Sequence, residues 1–238
     1  MSGRVRNDLG LYDRHAAAWW DDTSRFAASL HGLNQLRLQH LAAVYGGDMR
    51  GLAVVDLGCG GGLMAEPIAR QGASVVGIDA SSASIAVARA HGAGLSGLSY
   101  AVGDARAPDL SDGSADLVCC ADILEHIVEW PDVVAAAARL LRPGGRLYVS
   151  TLNRTMATRL IAIHLAEGLG LIPRGTHDPA CCIRPEELAA TARTHGLQLD
   201  GLLGERVRLF QTIRHWAIRL APGSSTAMGY AAWFTRTN

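Results

Sequence analysis

The segment VVDLGCGGGL, residues 54–63, joins a short apolar run to a cluster of glycines. The run at residues 53–57 is typical of a buried strand in a parallel sheet. Gly58, Gly60 and Gly62 let the backbone turn sharply and let a ligand approach without interference from a Cβ atom. A dinucleotide-binding loop has the pattern GxGxxG, but its third glycine would fall on a leucine here. The segment therefore predicts a strand, a ligand-binding turn and a helix, and it disfavours NAD as the ligand.

Short apolar strands and helices alternate around this segment. Strands are predicted at residues 53–57, 74–78, 98–102, 115–120 and 146–151, and helices at residues 63–71, 82–91, 131–141 and 185–195. Such alternation indicates a Rossmann-like α/β fold, in which helices cover both faces of a mostly parallel sheet. Two further helices within residues 12–46 predict an N-terminal helical cap at residues 1–50. Residues 51–238 then form one catalytic unit, with a lid or interfacial insertion at residues 155–180.

The composition excludes some functions. The 22 basic and 22 acidic residues balance, which argues against a protein that binds nucleic acid. The five cysteines include two adjacent pairs and show no CxxC spacing, so neither a disulfide framework nor a zinc site is indicated. We therefore expect a protein of the reducing cytoplasm that acts on a small molecule.

Three carboxylates, Asp56, Asp79 and Asp104, follow three successive predicted strands. Asp56 would repel a pyrophosphate but attract S-adenosylmethionine, which carries an ammonium and a sulfonium. The carboxylate of that cofactor can meet backbone N–H groups near a helix start. Asp79 lies 23 residues later and can accept both ribose hydroxyls, while Asp104 could accept from the adenine amino group. The alternative is that these acids are ordinary turn residues or helix caps.

Several segments of the chain resemble the class I methyltransferases, and in particular the ubiquinone-biosynthesis O-methyltransferases. The similar segments are Trp19-Trp20-Asp21, Leu30-His31, Asn34-x-x-Arg37-Leu38, the glycine segment 56–63, Leu124-Glu125-His126, Arg142-Pro143-Gly144-Gly145, Ser150-Thr151-Leu152-Asn153-Arg154 and Pro173-Arg174-Gly175-Thr176-His177-Asp178. The glycine segment alone indicates only the superfamily, whereas the STLNR and PRGTHD segments and the tryptophan pair are more specific.

The resemblance implies a seven-stranded sheet whose last strand is antiparallel. It also implies cofactor contacts at Arg37, Gly58, Asp79 and Ala121. A guanidinium from the N-terminal helices could clamp the methionine carboxylate of the cofactor. Two features differ from the family pattern: Ala121 stands where the family tends to have methionine, and residues 202–238 do not follow the family's ending closely.

An acidic and histidine cluster, Asp122, Glu125 and His126, follows the fourth predicted strand, where the family usually begins the cluster with Glu. On one helical turn these residues share a face, so they could hold Mg²⁺ and lower the pKa of an acceptor hydroxyl. Alternatively, Asp122 and Glu125 form a capping box, and His126 is a metal-free base or part of the pocket wall. Asp122 and His126 are the candidate catalytic residues. Secondary candidates for the substrate pocket are His31, His177 and Asp178.

Residues 155–172 (TMATRLIAIHLAEGLGLI) are apolar but are interrupted by Arg159, His164 and Glu167. The segment is too short and too polar to span a membrane. It could form a lid over a hydrophobic substrate tail, lie at a membrane surface, or pack as a core helix. In the family that the chain resembles, the corresponding segment is associated with membrane contact.

These observations predict an S-adenosylmethionine-dependent O-methyltransferase that acts on a phenolic or enolic hydroxyl. A hydrophobic quinone precursor is one candidate acceptor. A natural-product O-methyltransferase on the same scaffold is an alternative, and so is a non-catalytic protein that binds S-adenosylmethionine. The expected location is the cytoplasm, with peripheral contact at the membrane surface as a second alternative.

Overall fold

The apolar runs around the glycine segment form one sheet in the computed structural model, which describes residues 9–21, 23–173 and 175–237. The strands are β1 (Ala53–Leu57), β2 (Ser74–Asp79), β3 (Leu98–Val102), β4 (Ala115–Ala121), β5 (Leu141–Leu152), β6 (Leu197–Val207), β7 (Leu220–Gly223) and β8 (Gly229–Arg236). The helices are α1 (Leu9–His15), α2 (Arg25–Tyr45), α3 (Ala65–Arg70), α4 (Ser82–His91), α5 (Trp130–Leu140), α6 (Ala166–Gly168), α7 (Pro185–Thr194) and α8 (Leu209–His215). Arg174 of the PRGTHD segment lies outside the described residues.

The strand order confirms the predicted Rossmann-like α/β fold. The sheet runs β3-β2-β1-β4-β5-β8-β6-β7, and the strands from β3 to β5 are parallel. Strand β8 lies antiparallel between β5 and β6, as the resemblance implied for the last strand.

The predicted number of seven strands is wrong, because the described residues form eight. The additional strand, β7, runs antiparallel to the end of β6, where Gly204 to Val207 pair with Gly223 to Leu220. It follows α8 within residues 202–238, the region that departs from the family pattern. A chain that reverses after a short helix can pair with the open edge of β6, whose backbone groups would otherwise lack partners in the sheet.

Helices cover both faces of the sheet, and the alternation of side chains along β1 shows how. Val55 packs with α5 and α7 in one buried cluster, while its neighbour Val54 packs with α2, α3 and α4 in another. Adjacent strand residues point to opposite faces, so an uninterrupted apolar strand buries both. Because β1, β2, β3 and β4 are parallel, their carboxyl ends meet at one edge of the sheet. The predicted site residues lie at that edge.

The N-terminal helices pack directly over the glycine segment. Trp19, which follows α1, is buried against Leu63 in a third cluster, and its indole nitrogen donates to Ser84 Oγ at 3.1 Å. Helix α2 begins after Ser24, whose side chain caps it, and ends at Gly46 in a left-handed conformation. Burial of Leu41 with β1 joins the end of α2 to the main core.

Within residues 155–172, a π-helical stretch at Thr158–Leu165 continues into α6. Its buried side includes Ile163 and Ala166, whereas Ile161 and Leu165 are exposed. In the described part of the chain, no helix is both long and apolar enough to cross a membrane.

Candidate active site

A cavity of about 1000 Å³ opens at the carboxyl edge of the sheet. One half is lined by backbone and carboxylates of the strand ends, namely Asp56, Gly58, Gly60, Asp79, Asp104 and Ala121. The other half is lined by apolar side chains, including Ile161, Leu165, Leu169, Leu209, Ile213 and Trp216. Arg37, Asp122, Glu125, His126 and His177 lie on the wall of the same cavity.

The glycine loop is built so that only glycine fits. Gly58, Gly60 and Gly62 have φ values of 76°, 51° and 87°, in the left-handed region that side chains disfavour. A Cβ atom on Gly58 would collide with Ile123, and one on Gly60 would collide with Trp19. The loop therefore turns tightly between β1 and α3 while its backbone faces the cavity.

Asp56 is a carboxylate buried near the end of β1. Its side chain is 2% exposed, and Oδ2 has no hydrogen-bond partner among the described residues. Burial, assisted by the nearby Asp79 carboxylate, raises the pKa of Asp56 to about 7. An isolated buried carboxylate is costly, so this residue fits a site that is completed by a cationic ligand.

Asp79 holds the glycine loop in place. One carboxylate oxygen accepts from Gly60 N at 2.9 Å and the other accepts from Ser81 N at 2.8 Å. Burial raises the pKa of Asp79, although these two hydrogen bonds oppose the shift. Asp79 thus has the role of a turn residue, as the alternative interpretation proposed, while each oxygen keeps a further lone pair for a ligand hydroxyl.

Asp104 is placed differently from the other two acids. It lies on the cavity wall, but its carboxylate is paired with Arg106 at 2.6 Å and is 45% exposed. Hydrogen bonds from Arg106 lower the pKa of Asp104. The carboxylate is therefore ionised and already solvated, and a hydrogen bond to a ligand would add less here than at Asp79.

Arg37 lies at the centre of a buried polar network. Its Nη2 is 2.7 Å from Asp122 Oδ1 and 3.7 Å from Glu205 Oε2, and its Nε donates to Ser150 Oγ at 3.2 Å. Burial alone would lower the pKa of Arg37, but the Asp122 and Glu205 carboxylates raise it. The Arg37 side chain is only 4% exposed, and the two carboxylates keep its guanidinium charged on the wall of the cavity. The sequence analysis did not predict Glu205 as a site residue. The available signal was an acidic side chain within strand β6.

The capping-box interpretation of Asp122 and Glu125 is wrong. Asp122 has φ 53°, which ends β4 in a left-handed conformation, and the 3-10 turn Leu124–His126 has no side-chain cap. Glu125 instead accepts a hydrogen bond from Thr151 Oγ1 at 2.7 Å. Asp122 also does not share a helical turn with His126, because a residue in the left-handed region lies outside a right-handed helix. Strained backbone at this position is typical of functional sites.

Glu125 and His126 meet a third residue from a distant part of the chain, His177. One donor atom from each of the three lies within 4.8 Å of the others. Burial lowers the pKa of His126 to about 4 and that of His177 to about 3, so both imidazoles are neutral at neutral pH. Burial and the Asp122 carboxylate raise the pKa of Glu125. The PRGTHD segment was the sequence signal for His177, but it did not indicate proximity to His126.

The remaining predicted pocket residues have structural contacts. His31 Nε2 is 3.0 Å from the Trp19 carbonyl oxygen, and Asp178 Oδ1 accepts from Ala180 N at 2.9 Å. Trp20 donates to the Gly61 carbonyl oxygen at 2.8 Å and stacks on His91, which ties the N-terminal helices to the glycine loop.

The apolar half of the cavity is formed by two segments that Ser29 joins. The buried Ser29 hydroxyl donates to the Leu171 carbonyl oxygen at 3.0 Å and accepts from Ile218 N at 3.1 Å. It therefore links α2 both to residues 155–172 and to the C-terminal region. From that region, Leu209, Ile213 and Trp216 were not predicted as cavity residues; their helical spacing in RLFQTIRHW was the available signal.

Comparison with known proteins agrees with this geometry. A family profile described as a methyltransferase domain matches residues 55–149. Magnesium protoporphyrin IX methyltransferase from Synechocystis PCC 6803, solved with bound SAH, shares the fold with a TM-score of 0.68 at 20% identity over 97% of this chain and 96% of that chain. A possible histamine N-methyltransferase from Thermotoga maritima has a TM-score of 0.68 at 16% identity over 96% of this chain and 100% of that chain. The fold and the glycine-loop site define a class I S-adenosylmethionine-dependent methyltransferase.

Curated relatives identify the family within this class. A ubiquinone biosynthesis O-methyltransferase from Methylococcus capsulatus is 43% identical over 201 residues, covering 83% of each chain. A protein of the same name from Xanthomonas oryzae pv. oryzae is 39% identical over 236 residues, covering 96% of this chain and 93% of the relative. The chain belongs to the ubiquinone biosynthesis O-methyltransferase family. The predicted cofactor and the predicted enzyme class, an S-adenosylmethionine-dependent O-methyltransferase, are thereby confirmed.

Proposed function

We propose that this enzyme methylates a phenolic hydroxyl on a hydrophobic quinone precursor. The observation that carries the proposal is the two-part cavity, which is lined by carboxylates and glycine backbone at one end and by apolar side chains at the other. The acceptor oxygen would attack the methyl carbon in line with the sulfonium, the sulfur–methyl bond would break, and S-adenosylhomocysteine would leave. The hydroxyl proton must depart at or before this step, so the enzyme has to orient the acceptor and assist deprotonation.

The strand ends hold the cofactor in this proposal. Asp56 faces the ammonium and sulfonium charges, which would compensate its buried carboxylate. Asp79 accepts the ribose hydroxyls, and Asp104 accepts from the adenine amino group. The backbone of the glycine loop, at Gly58, Gly60 and Gly62, lies along the methionine part together with Ala121. Support for these roles comes from their common position on the cavity wall or in the turn that forms it.

Arg37 has the proposed role of binding the cofactor's methionine carboxylate. Its guanidinium is buried, charged and on the cavity wall. Asp122 orients Arg37 through their ion pair and also faces the cavity, with 33% of its side chain exposed. Asp122 can therefore contact the transferring methyl group or the acceptor.

His126 is the proposed residue for acceptor activation. Its neutral imidazole lies on the cavity wall, where it forms a T-shaped contact with the Tyr12 ring, with 5.6 Å between ring centroids. The ring could take the hydroxyl proton itself or ligate a divalent cation that binds the acceptor oxygen. Metal titration distinguishes these two roles.

The apolar half of the cavity suits a long hydrocarbon tail. Several side chains that line it are also exposed at its mouth, namely Ile161, Leu165, Leu169, Leu209, Ile213 and Trp216. Leu209 and Ile213 are 65% and 60% exposed. Apolar residues that are both solvent-exposed and continuous with a cavity fit an enzyme that takes its acceptor from a membrane surface. In this proposal the protein is cytoplasmic and makes peripheral contact with a membrane through these apolar side chains.

An acceptor comparison tests the proposal. The enzyme is incubated with S-adenosylmethionine and either a polyprenyl catechol, a short-chain catechol or a polar enolic lactone, and product masses and S-adenosylhomocysteine release are measured. We expect the highest kcat/KM for the polyprenyl catechol. Preference for a polar acceptor would contradict the quinone-precursor assignment, and binding without turnover of any acceptor would contradict catalysis.

A further inference from the structure

Glu205 is a buried acid in the wall of the cavity and comes from the part of the chain that departs from the family pattern. It lies on β6, and its side chain is 5% exposed. Val207, two residues later, also lines the cavity, whereas Arg206 between them is exposed. Because alternate residues of a strand point to the same face, Glu205 and Val207 share the face of β6 that borders the cavity.

The carboxylate of Glu205 is only partly satisfied. Its Oε2 lies 3.7 Å from Arg37 Nη2, and the same nitrogen is closer to Asp122, at 2.7 Å. Its Oε1 is buried and has no hydrogen-bond partner among the described residues. Burial raises the pKa of Glu205, and the Arg37 guanidinium opposes the shift. A buried carboxylate oxygen without a donor is unfavourable, so a ligand that brings a donor to this position is stabilised there.

Gly229 keeps room beside this carboxylate. It is the residue of β8 that pairs with Glu205, and it also lines the cavity. A Cβ atom on Gly229 would come within 3.1 Å of Glu205 Oε2. The φ of Gly229 lies outside the left-handed region, so backbone conformation does not by itself require glycine here. The absence of a side chain leaves the carboxylate uncrowded on the cavity side of the sheet.

The strand order places Glu205 on the side of the cavity where the methyl acceptor binds. The proposed cofactor residues follow β1, β2, β3 and β4, whereas β5 and β8 lie between β4 and β6. At a spacing of about 4.8 Å between neighbouring strands, β6 is roughly 19 Å from β1 and its glycine loop. The chain after Glu205 supplies apolar side chains to the cavity, namely Val207, Leu209, Ile213 and Trp216. An acid at the start of a largely apolar wall suits the polar head group of a molecule that carries a hydrocarbon tail.

We propose that Glu205 is a specificity-determining residue whose carboxylate accepts a hydrogen bond from a second hydroxyl of the methyl acceptor, beside the hydroxyl that is methylated. This inference rests on the proposed function, because it names the group that selects among phenolic substrates. A phenol without the second hydroxyl leaves the buried carboxylate unpaired. A site built around such a hydrogen bond discriminates strongly against the analogue that lacks it. Glu205 therefore favours a catechol over a phenol with the same tail.

Binding of the methyl acceptor in the presence of S-adenosylhomocysteine tests the inference without turnover. Calorimetry compares a short-chain catechol with the phenol that has the same chain but lacks the second hydroxyl, and kcat/KM is measured for the same pair. Wild type should favour the catechol by at least about ten-fold, the scale of a hydrogen bond to a charged group. Glu205→Leu should reduce this preference to less than about three-fold.

Two further variants define the effect. Glu205→Gln keeps an oxygen that can accept the hydrogen bond but loses the charge, so its preference for the catechol should be intermediate. Arg206→Gln is the matched control, because it changes an exposed neighbour on the opposite face of β6. It should leave the preference and kcat/KM for both compounds unchanged.

Binding of S-adenosylmethionine separates selection of the methyl acceptor from an effect through Arg37. Asp122 still pairs with Arg37 in both Glu205 variants, so their affinity for the cofactor should change by less than about three-fold. Loss of cofactor affinity with an unchanged preference for the catechol would show that Glu205 only orients Arg37, and would overturn the inference.

The inference is also overturned if wild type shows no preference for the catechol, or if folded Glu205→Leu keeps the wild-type preference. Should the leucine variant not fold, a wild-type preference in Glu205→Gln has the same meaning. Preferential binding of the catechol that depends on Glu205, combined with no turnover of either compound, would leave the inference standing and refute only the proposed function.

Discussion

Arg37 Nη2 and Asp122 Oδ1 lie 2.7 Å apart and join helix α2 to the residue that follows β4. The pair links the N-terminal region to the carboxyl edge of the sheet, and both residues lie on the cavity wall. Asp122 occupies a left-handed backbone conformation to reach this position. The backbone strain and the ion pair can be separated by substitution.

Asp122→Gly and Asp122→Ala both remove the ion pair, but only glycine is at ease at φ 53°. Loss of one partner leaves the buried Arg37 with Glu205 at 3.7 Å, so both variants should lose roughly 1–3 kcal/mol in the free energy of unfolding. The alanine variant should be the less stable of the two by about 1 kcal/mol. Urea denaturation measures both, and equal stabilities would show that the left-handed conformation carries no strain.

Asp56 should make the ligand-free protein sensitive to pH. Its pKa is raised from 3.8 to about 7, so the folded state holds a proton that the unfolded state has released between these values. The resulting stabilisation is complete below about pH 4 and is lost as the pH rises to about 7. Asp56→Asn should therefore be more stable than wild type at pH 8, with a smaller advantage at pH 5.

Melting temperatures at the two pH values provide the measurement for Asp56→Asn. The same variant should also bind S-adenosylmethionine more weakly at pH 8, because the cationic ligand loses its counter-charge. Calorimetry measures this binding. A stability difference that does not vary with pH would show that Asp56 is ionised throughout the range.

Asp79→Ala should weaken S-adenosylmethionine binding by about 2–3 kcal/mol, the scale of hydrogen bonds lost to a charged acceptor. The variant also removes the acceptor for Gly60 N, so the glycine loop loses a support. Asp104→Ala is the matched control and should cost less, because its partly exposed carboxylate is already paired with Arg106. Calorimetry on folded variants measures both, and equal losses would contradict the assignment of the ribose to Asp79.

The double variant Ile161→Ser, Leu165→Ser should raise KM for long-tailed acceptors and weaken liposome binding. Both side chains line the cavity and are exposed at its mouth. Turnover of short catechols should change little, because the residues at the reacting end are untouched. Leu199→Ser, an exposed apolar position on β6, should have neither effect. Equal losses for short and long acceptors would mean that the segment only packs on the core.

The sequence by itself determined the fold class and the cofactor. The short apolar strands, the glycine loop and the acids at strand ends depend on local rules: backbone conformation, side-chain alternation and the convergence of parallel strand ends at one edge. The positions of Gly58 in the turn and of Asp79 at a strand end could therefore be predicted before any contact was known.

The partners of Asp122 and His126 were decided by the tertiary structure. Arg37 is 85 residues from Asp122, and His177 approaches His126 from a segment beyond the fifth strand. The sequence pattern suggested one helical face for Asp122, Glu125 and His126, but Asp122 has a left-handed conformation and forms a long-range ion pair with Arg37. The additional strand, β7, has a similar origin, because it pairs with the edge of β6 that the fold leaves open. Pairings of this kind depend on which surfaces folding brings together, and local propensity carries no information about them.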